Sequence, residues 1–149
     1  MARWRDAVVW FVAGSLAMLL FHQGSVAVLS TMGLFPVGPW NVAPVPPFGL
    51  PALVHGAFFS GVWAVLYWLV LEPRRPARLP PWIAVAIYAA SVPVAFLFLV
   101  MAPASGAPVA FGMGATMIGM VILAHAVWGL GIALCVGAIQ RVITPPLRR

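Results

Sequence analysis

Apolar residues along this chain fall into four long stretches rather than short alternating runs. They extend from Ala7 to about Leu29, from Ala52 to Leu71, from Pro81 to Met101, and from about Gly114 to Ile139. Crossing about 30 Å of hydrocarbon takes roughly 20 helical residues, and each stretch meets that length. None shows the period-two pattern of a half-buried strand. In lipid the backbone must satisfy its own hydrogen bonds, so these stretches are read as helices. The pattern therefore predicts an all-α membrane protein, a single domain over 1–149 with four transmembrane helices in an up-down bundle.

Composition supports this. Of 149 residues, 64% are apolar and 7% are charged, against about 25% charged in soluble domains. That supply cannot clothe a water-facing surface, which excludes an ordinary soluble globular domain. The four spans also leave little chain for an extramembrane domain. Arg3 and Arg5 ahead of an apolar run, with Ser25-Val26-Ala27 at a cleavage-like spacing, imitate a secretory signal. The run from Ala7 is long enough to span, and it is read as a retained first helix. Cys135 is the one cysteine, so no intrachain disulfide forms.

Charge then sets an orientation. Arg3 and Arg5 precede the first span, Arg74, Arg75 and Arg78 lie between the second and third, and Arg141, Arg148 and Arg149 follow the fourth. Four spans put these regions on one side, and the opposite loops carry no charge. By the positive-inside rule both termini are expected in the cytoplasm, with the chain in a bacterial inner membrane. The net charge of +6 is thus read as orienting and lipid-facing, and no nucleic-acid partner is expected. Trp4, Trp10, Trp68 and Trp82 fall near the same boundary, where indole rings sit well. Asp6 complements the positive end of the first helix.

The outer loop 35–51 holds six prolines and few polar groups, so it should be extended, stiff and applied to a membrane, a helix end or another protein. A shorter loop is expected around Ala102 to Ala110. Val62-Trp63-Ala64 and Val127-Trp128-Gly129 form a faint internal echo, each one span after an outer loop. Small residues recur every four positions at Ala52, Gly56, Ser60 and Ala64, and again at Gly129, Ala133 and Gly137. Such lines let another backbone approach closely, either within the bundle or between subunits. The third span adds Ala86-Ala90 and Ser91-Ala95, and Pro93 there is expected to bend it.

Candidate chemistry is sparse. His22, His55 and His125 lie roughly 10, 5 and 15 Å below the outer ends of their helices. With Gln23 they are the polar groups that could line a path or bind a ligand. The alternatives are neutral rings bonded to backbone carbonyls, axial ligation of a b-type haem by His22 and His125, or a zinc site made from all three. Met113, Met117 and Met120 share a helix face, as packing or as soft copper ligands. Asp6 and Glu72 both sit at the cytoplasmic boundary, leaving no deep carboxylate of the kind a proton-coupled exporter or aspartyl protease needs. No nucleophile elbow or phosphate-cradling glycine loop occurs. No enzymatic activity, resident metal or cofactor is expected.

The strings Phe21-His22-Gln23-Gly24, Pro46-Pro47-Phe48-Gly49-Leu50-Pro51 and His125-Ala126-Val127-Trp128-Gly129 resemble small, uncharacterised four-span proteins of bacterial inner membranes. The resemblance implies the architecture and no activity. An all-arginine basic set with abundant Ala, Pro and Gly further suggests a GC-rich bacterial genome. The expected function is a non-catalytic accessory or scaffold component that packs against another membrane protein or itself. The alternatives are an oligomeric channel or small-solute carrier lined by His22, Gln23 and His125, and a haem or metal protein.

Overall fold

The computed structural model describes residues 2–36, 38–45 and 48–143, with residues 2 and 3 as backbone alone. Arg148, Arg149, Pro46, Pro47 and the side chain of Arg3 therefore lie outside the described residues. The structure is 79% helical. Four helices are long and apolar enough to cross a membrane: α1 (Trp4–Thr31), α2 (Ala52–Arg74), α3 (Pro81–Ala104) and α4 (Ala115–Ile143).

All four extend past the bounds predicted from hydropathy. The apolar runs stop where polar residues begin, but the backbone goes on bonding to itself through those residues. Thus α2 continues through Glu72-Pro73-Arg74 as a 3₁₀ turn. Likewise α3 absorbs Ala102–Ala104, a stretch expected to belong to the second loop. That loop then closes with Ala110 and Phe111 at φ values of 52° and 53°. Each of α1, α2 and α3 also contains one π-helical turn, at Met18–His22, Tyr67–Leu71 and Leu97–Met101 respectively.

Helix α1 packs on both α2 and α4, and α4 packs on α3. The first contact depends on a missing side chain. A Cβ on Gly14 would lie 2.6 Å from both the Ser60 carbonyl oxygen and the Ala64 Cβ, so only glycine lets the backbones come this close. Lower down the same face, Gly56 takes the Met18 side chain, which a Cβ would meet at 2.6 Å. Gly129 repeats the device between α4 and α3, where a Cβ would lie 2.7 Å from the Ala86 Cα and the Val85 carbonyl. The small-residue lines are therefore largely occupied within the chain. Of the three glycines on these lines, Gly137 is the one where a Cβ would meet nothing within 4 Å.

Trp128, Tyr67, Ile132 and Val85 are the largest fully buried side chains. Burying an indole requires a partner for its N–H, and Trp128 Nε1 donates to the Gly14 carbonyl at 3.1 Å. Trp10, expected at the interface, is instead 8% exposed and packed on Tyr67, with ring centroids 5.6 Å apart. Nearly two turns into α1 it lies on the core face, whereas Trp4 and Trp82 at the helix ends remain exposed. The outer faces of all four helices carry exposed large apolar residues, among them Leu20, Leu69, Leu99 and Leu134. Apolar surface all round a bundle fits lipid rather than water.

These contacts predict that Gly14→Ala and Gly129→Ala each destabilise the protein by about 1–3 kcal/mol through overpacking. Gly119→Ala, where a Cβ has open space, should be neutral or stabilising. Thermal unfolding in detergent micelles checks the ranking, and equal effects at all three sites would contradict it.

Candidate functional site

The polar groups of the bundle gather at the end of α1 that faces the proline-rich loop. The π turn Met18–His22 widens the helix there, with the Gln23 N–H reaching back to the Met18 carbonyl. Such turns re-aim side chains and concentrate at functional positions. His22 at its close meets His125 of α4 edge to face, with ring centroids 4.9 Å apart and an interplanar angle of 89°. His125 Nδ1 lies 2.8 Å from the Val121 carbonyl oxygen. Only a protonated nitrogen can bond a carbonyl, so this nitrogen carries the proton and Nε2 remains an acceptor. His22 Nδ1 is buried and, among the described residues, has no hydrogen-bond partner.

Gln23 is occupied differently. Its Oε1 accepts the Trp40 backbone N–H at 2.7 Å, and the Trp40 indole Nε1 donates to the Leu19 carbonyl at 3.1 Å. Trp40 sits at φ 52°, a left-handed conformation costing roughly 1–2 kcal/mol for a residue with a Cβ. The two hydrogen bonds hold it there, latching the loop onto α1.

Beyond the latch, the loop also finishes α2. The first N–H groups of a helix have no intrahelical partner. Here Ala52 N–H donates to the Ala43 carbonyl and Leu53 N–H to the Asn41 carbonyl, both at 2.9 Å. Asn41 Oδ1 in turn accepts the Ala43 N–H at 2.9 Å, closing an Asx turn. Strands β1 (Pro44–Val45) and β2 (Leu50–Pro51) pair antiparallel, Pro44 opposite Pro51 and Val45 opposite Leu50. The expected stiff loop is thus a short hairpin anchored to two helices. A cavity of about 160 Å³ lies beneath it, lined by His22, Gln23, Phe35 and Asn41 among others.

Of the predicted polar residues, His22, Gln23 and His125 come together and His55 does not. His55 stacks on Phe59 of its own helix at 4.7 Å. Among the described residues no three His, Cys, Asp or Glu side chains converge on one point, so the histidines do not fit a zinc site. They do not fit a haem either. Two imidazoles on opposite faces of an iron, at about 2 Å per metal–nitrogen bond, would have centroids about 6 Å apart, and these rings are in contact at 4.9 Å. Met113 packs against the cluster of Val94, Phe98, Ala110 and Val121, as packing methionines do. Trp40 and Asn41 were not singled out by sequence. An aromatic residue beside Asn in a proline-rich stretch was the available signal.

Removing either latch bond should cost about 1 kcal/mol. Gln23→Leu and Trp40→Phe are expected to speed hydrogen exchange in the loop and at the start of α2, leaving α3 unaffected. Hydrogen–deuterium exchange with mass spectrometry reads this directly, and unchanged loop protection in both variants would refute the latch. No protein-family model matches the chain, and neither a curated protein nor a solved structure shows significant similarity to it.

Proposed function

We propose that this is a small non-catalytic integral membrane protein, a scaffold or accessory component whose anchored hairpin packs against another membrane protein or a second copy of itself. In this reading the four helices form an up-down bundle in a bacterial inner membrane. Arg5, Arg74, Arg75, Arg78 and Arg141 mark the cytoplasmic side, and the hairpin faces out. The observation that carries the reading is the latch from Trp40 to Gln23 and Leu19. It commits Gln23, beside the histidine pair, to holding a loop in place. The loop in turn displays Val42, Phe48 and Leu50, which are 68%, 80% and 44% exposed. Exposed apolar side chains on an ordered loop can mark interaction sites, and an element ordered in advance loses less entropy on binding.

A small-solute carrier is the second reading, favoured by the unpartnered His22 Nδ1 beside a largely apolar cavity that Gln23 and Asn41 also line. Against it, the bundle beyond the histidine pair is filled by Trp128 and Ile132, at 2% and 0% exposure.

A photoreactive residue at position 48, irradiated in native membranes, should give one discrete protein adduct of fixed mass. The same residue at Leu134 should give lipid adducts alone. Lipid adducts at both positions would overturn the scaffold reading. Solute flux into proteoliposomes that changes with His22→Ala would favour the carrier instead.

A further inference from the structure

The groove between α2 and α3 at their arginine-bearing ends carries an assignment of its own. These helices are consecutive in sequence, yet they meet through large aromatic side chains rather than close backbones. Tyr67 and Tyr88 have centroids 5.2 Å apart, Trp63 and Phe96 5.3 Å, and Tyr88 Oη donates to the Trp63 carbonyl at 3.0 Å. The seam held open in this way contains a cavity of about 260 Å³. Leu71, Ile87 and Val92 line it and are also 38%, 57% and 43% exposed, so the groove opens onto the lipid-facing surface. From Ala84 to Val92 it runs about 12 Å along α3. That shape and volume suit part of one acyl chain and fall short of the roughly 300–1,000 Å³ of a drug-sized ligand pocket.

The polar groups of the walls are already bonded within the protein. Tyr67 Oη donates to Glu72 Oε2 at 2.8 Å, and Ser91 Oγ donates to the Ile87 carbonyl at 2.6 Å. Arg75 is also engaged, through Nε to Glu72 at 3.1 Å and Nη1 to the Leu79 carbonyl at 2.5 Å. Glu72 is thereby neutralised. Arg74, which also lines the groove, bonds only the Val70 carbonyl through Nη1 at 2.5 Å. Among the described residues its guanidinium takes part in no ion pair. A slot that is apolar along its length and cationic at its mouth has the complement of an anionic phospholipid. Basic pockets between membrane helices bind such head groups.

We infer that this groove is a binding site for one anionic phospholipid, with its phosphate at Arg74 and one acyl chain along Leu71, Ile87 and Val92. The site depends on the four spans and not on what the hairpin meets. Native mass spectrometry of the full-length protein tests it, by titrating phosphatidylglycerol against phosphatidylcholine of identical chains. The wild type should hold one phosphatidylglycerol in preference to phosphatidylcholine. Arg74→Gln should weaken that binding about fivefold, with phosphatidylcholine unaffected. Ile87→Trp, which fills the groove, should abolish the bound lipid, whereas Leu134→Trp on the α4 surface should not. Arg5→Gln and Arg141→Gln serve as charge controls. Equal retention of the two lipids would overturn the site, as would equal losses from the control arginines, since either result means diffuse attraction to the surface. Thermal unfolding of Ile87→Trp within a few degrees of wild type confirms that its loss of lipid reports the groove.

Discussion

Three of the four helices depend on one glycine. At Gly14 the missing side chain lets α2 approach to backbone contact, and its carbonyl on the other side receives the buried Trp128 indole of α4. In water such a junction could lean on the hydrophobic effect. Between helices in lipid that force is absent, and close packing with a few internal hydrogen bonds must replace it. Gly14 supplies both at one position. The Gly129 contact attaches α3 to α4 in the same manner, so every helix is joined to α1 directly or through α4.

This pattern of contacts explains why the two ends differ. The glycine contacts tie α1 to α2 and α3 to α4 but leave α2 and α3 without such a contact, and aromatic rings space them instead. At the loop end of α1, a π turn presents His22 and Gln23 to α4 and to the proline-rich segment. The loop accepts that presentation because Trp40 tolerates a left-handed backbone when its N–H and indole are both bonded. At the other end, charge does the ordering. Glu72 gathers Tyr67 and Arg75 and fixes the turn into α3. The proposed functions follow this division, with an apolar display at one end and a cationic, lipid-filled seam at the other.

Much of the fold was legible from hydropathy, because helices in lipid carry long apolar runs that nothing else imitates. The lines of small residues read from the sequence include Ser60, Ala64 and Gly129, which lie where α1 meets α2 and where α4 meets α3. Gly14 escaped, because the residues four positions before and after it are Trp10 and Met18, so no line of small residues passes through it. The π turns were also illegible: Met18–His22 and Leu97–Met101 are compositionally ordinary, and their geometry comes from packing. Of the candidate site, the sequence indicated His22, Gln23 and His125, but not that the two rings meet or that Trp40 binds Gln23. Contacts 17 and 21 residues apart in sequence leave no periodic trace. The matching triplets Val62-Trp63-Ala64 and Val127-Trp128-Gly129 also part company, with Trp63 turned to α3 and Trp128 to the core.

The account rests on the hairpin and the arginine-mouthed groove lying on opposite sides of one membrane. Cysteine labelling measures this most directly, using Cys135→Ala as background with Phe48→Cys or Pro76→Cys added in intact cells. A membrane-impermeant maleimide should label position 48 at once and position 76 only after the membrane is permeabilised. Labelling of position 76 first, or of both positions equally in sealed cells, would contradict the account.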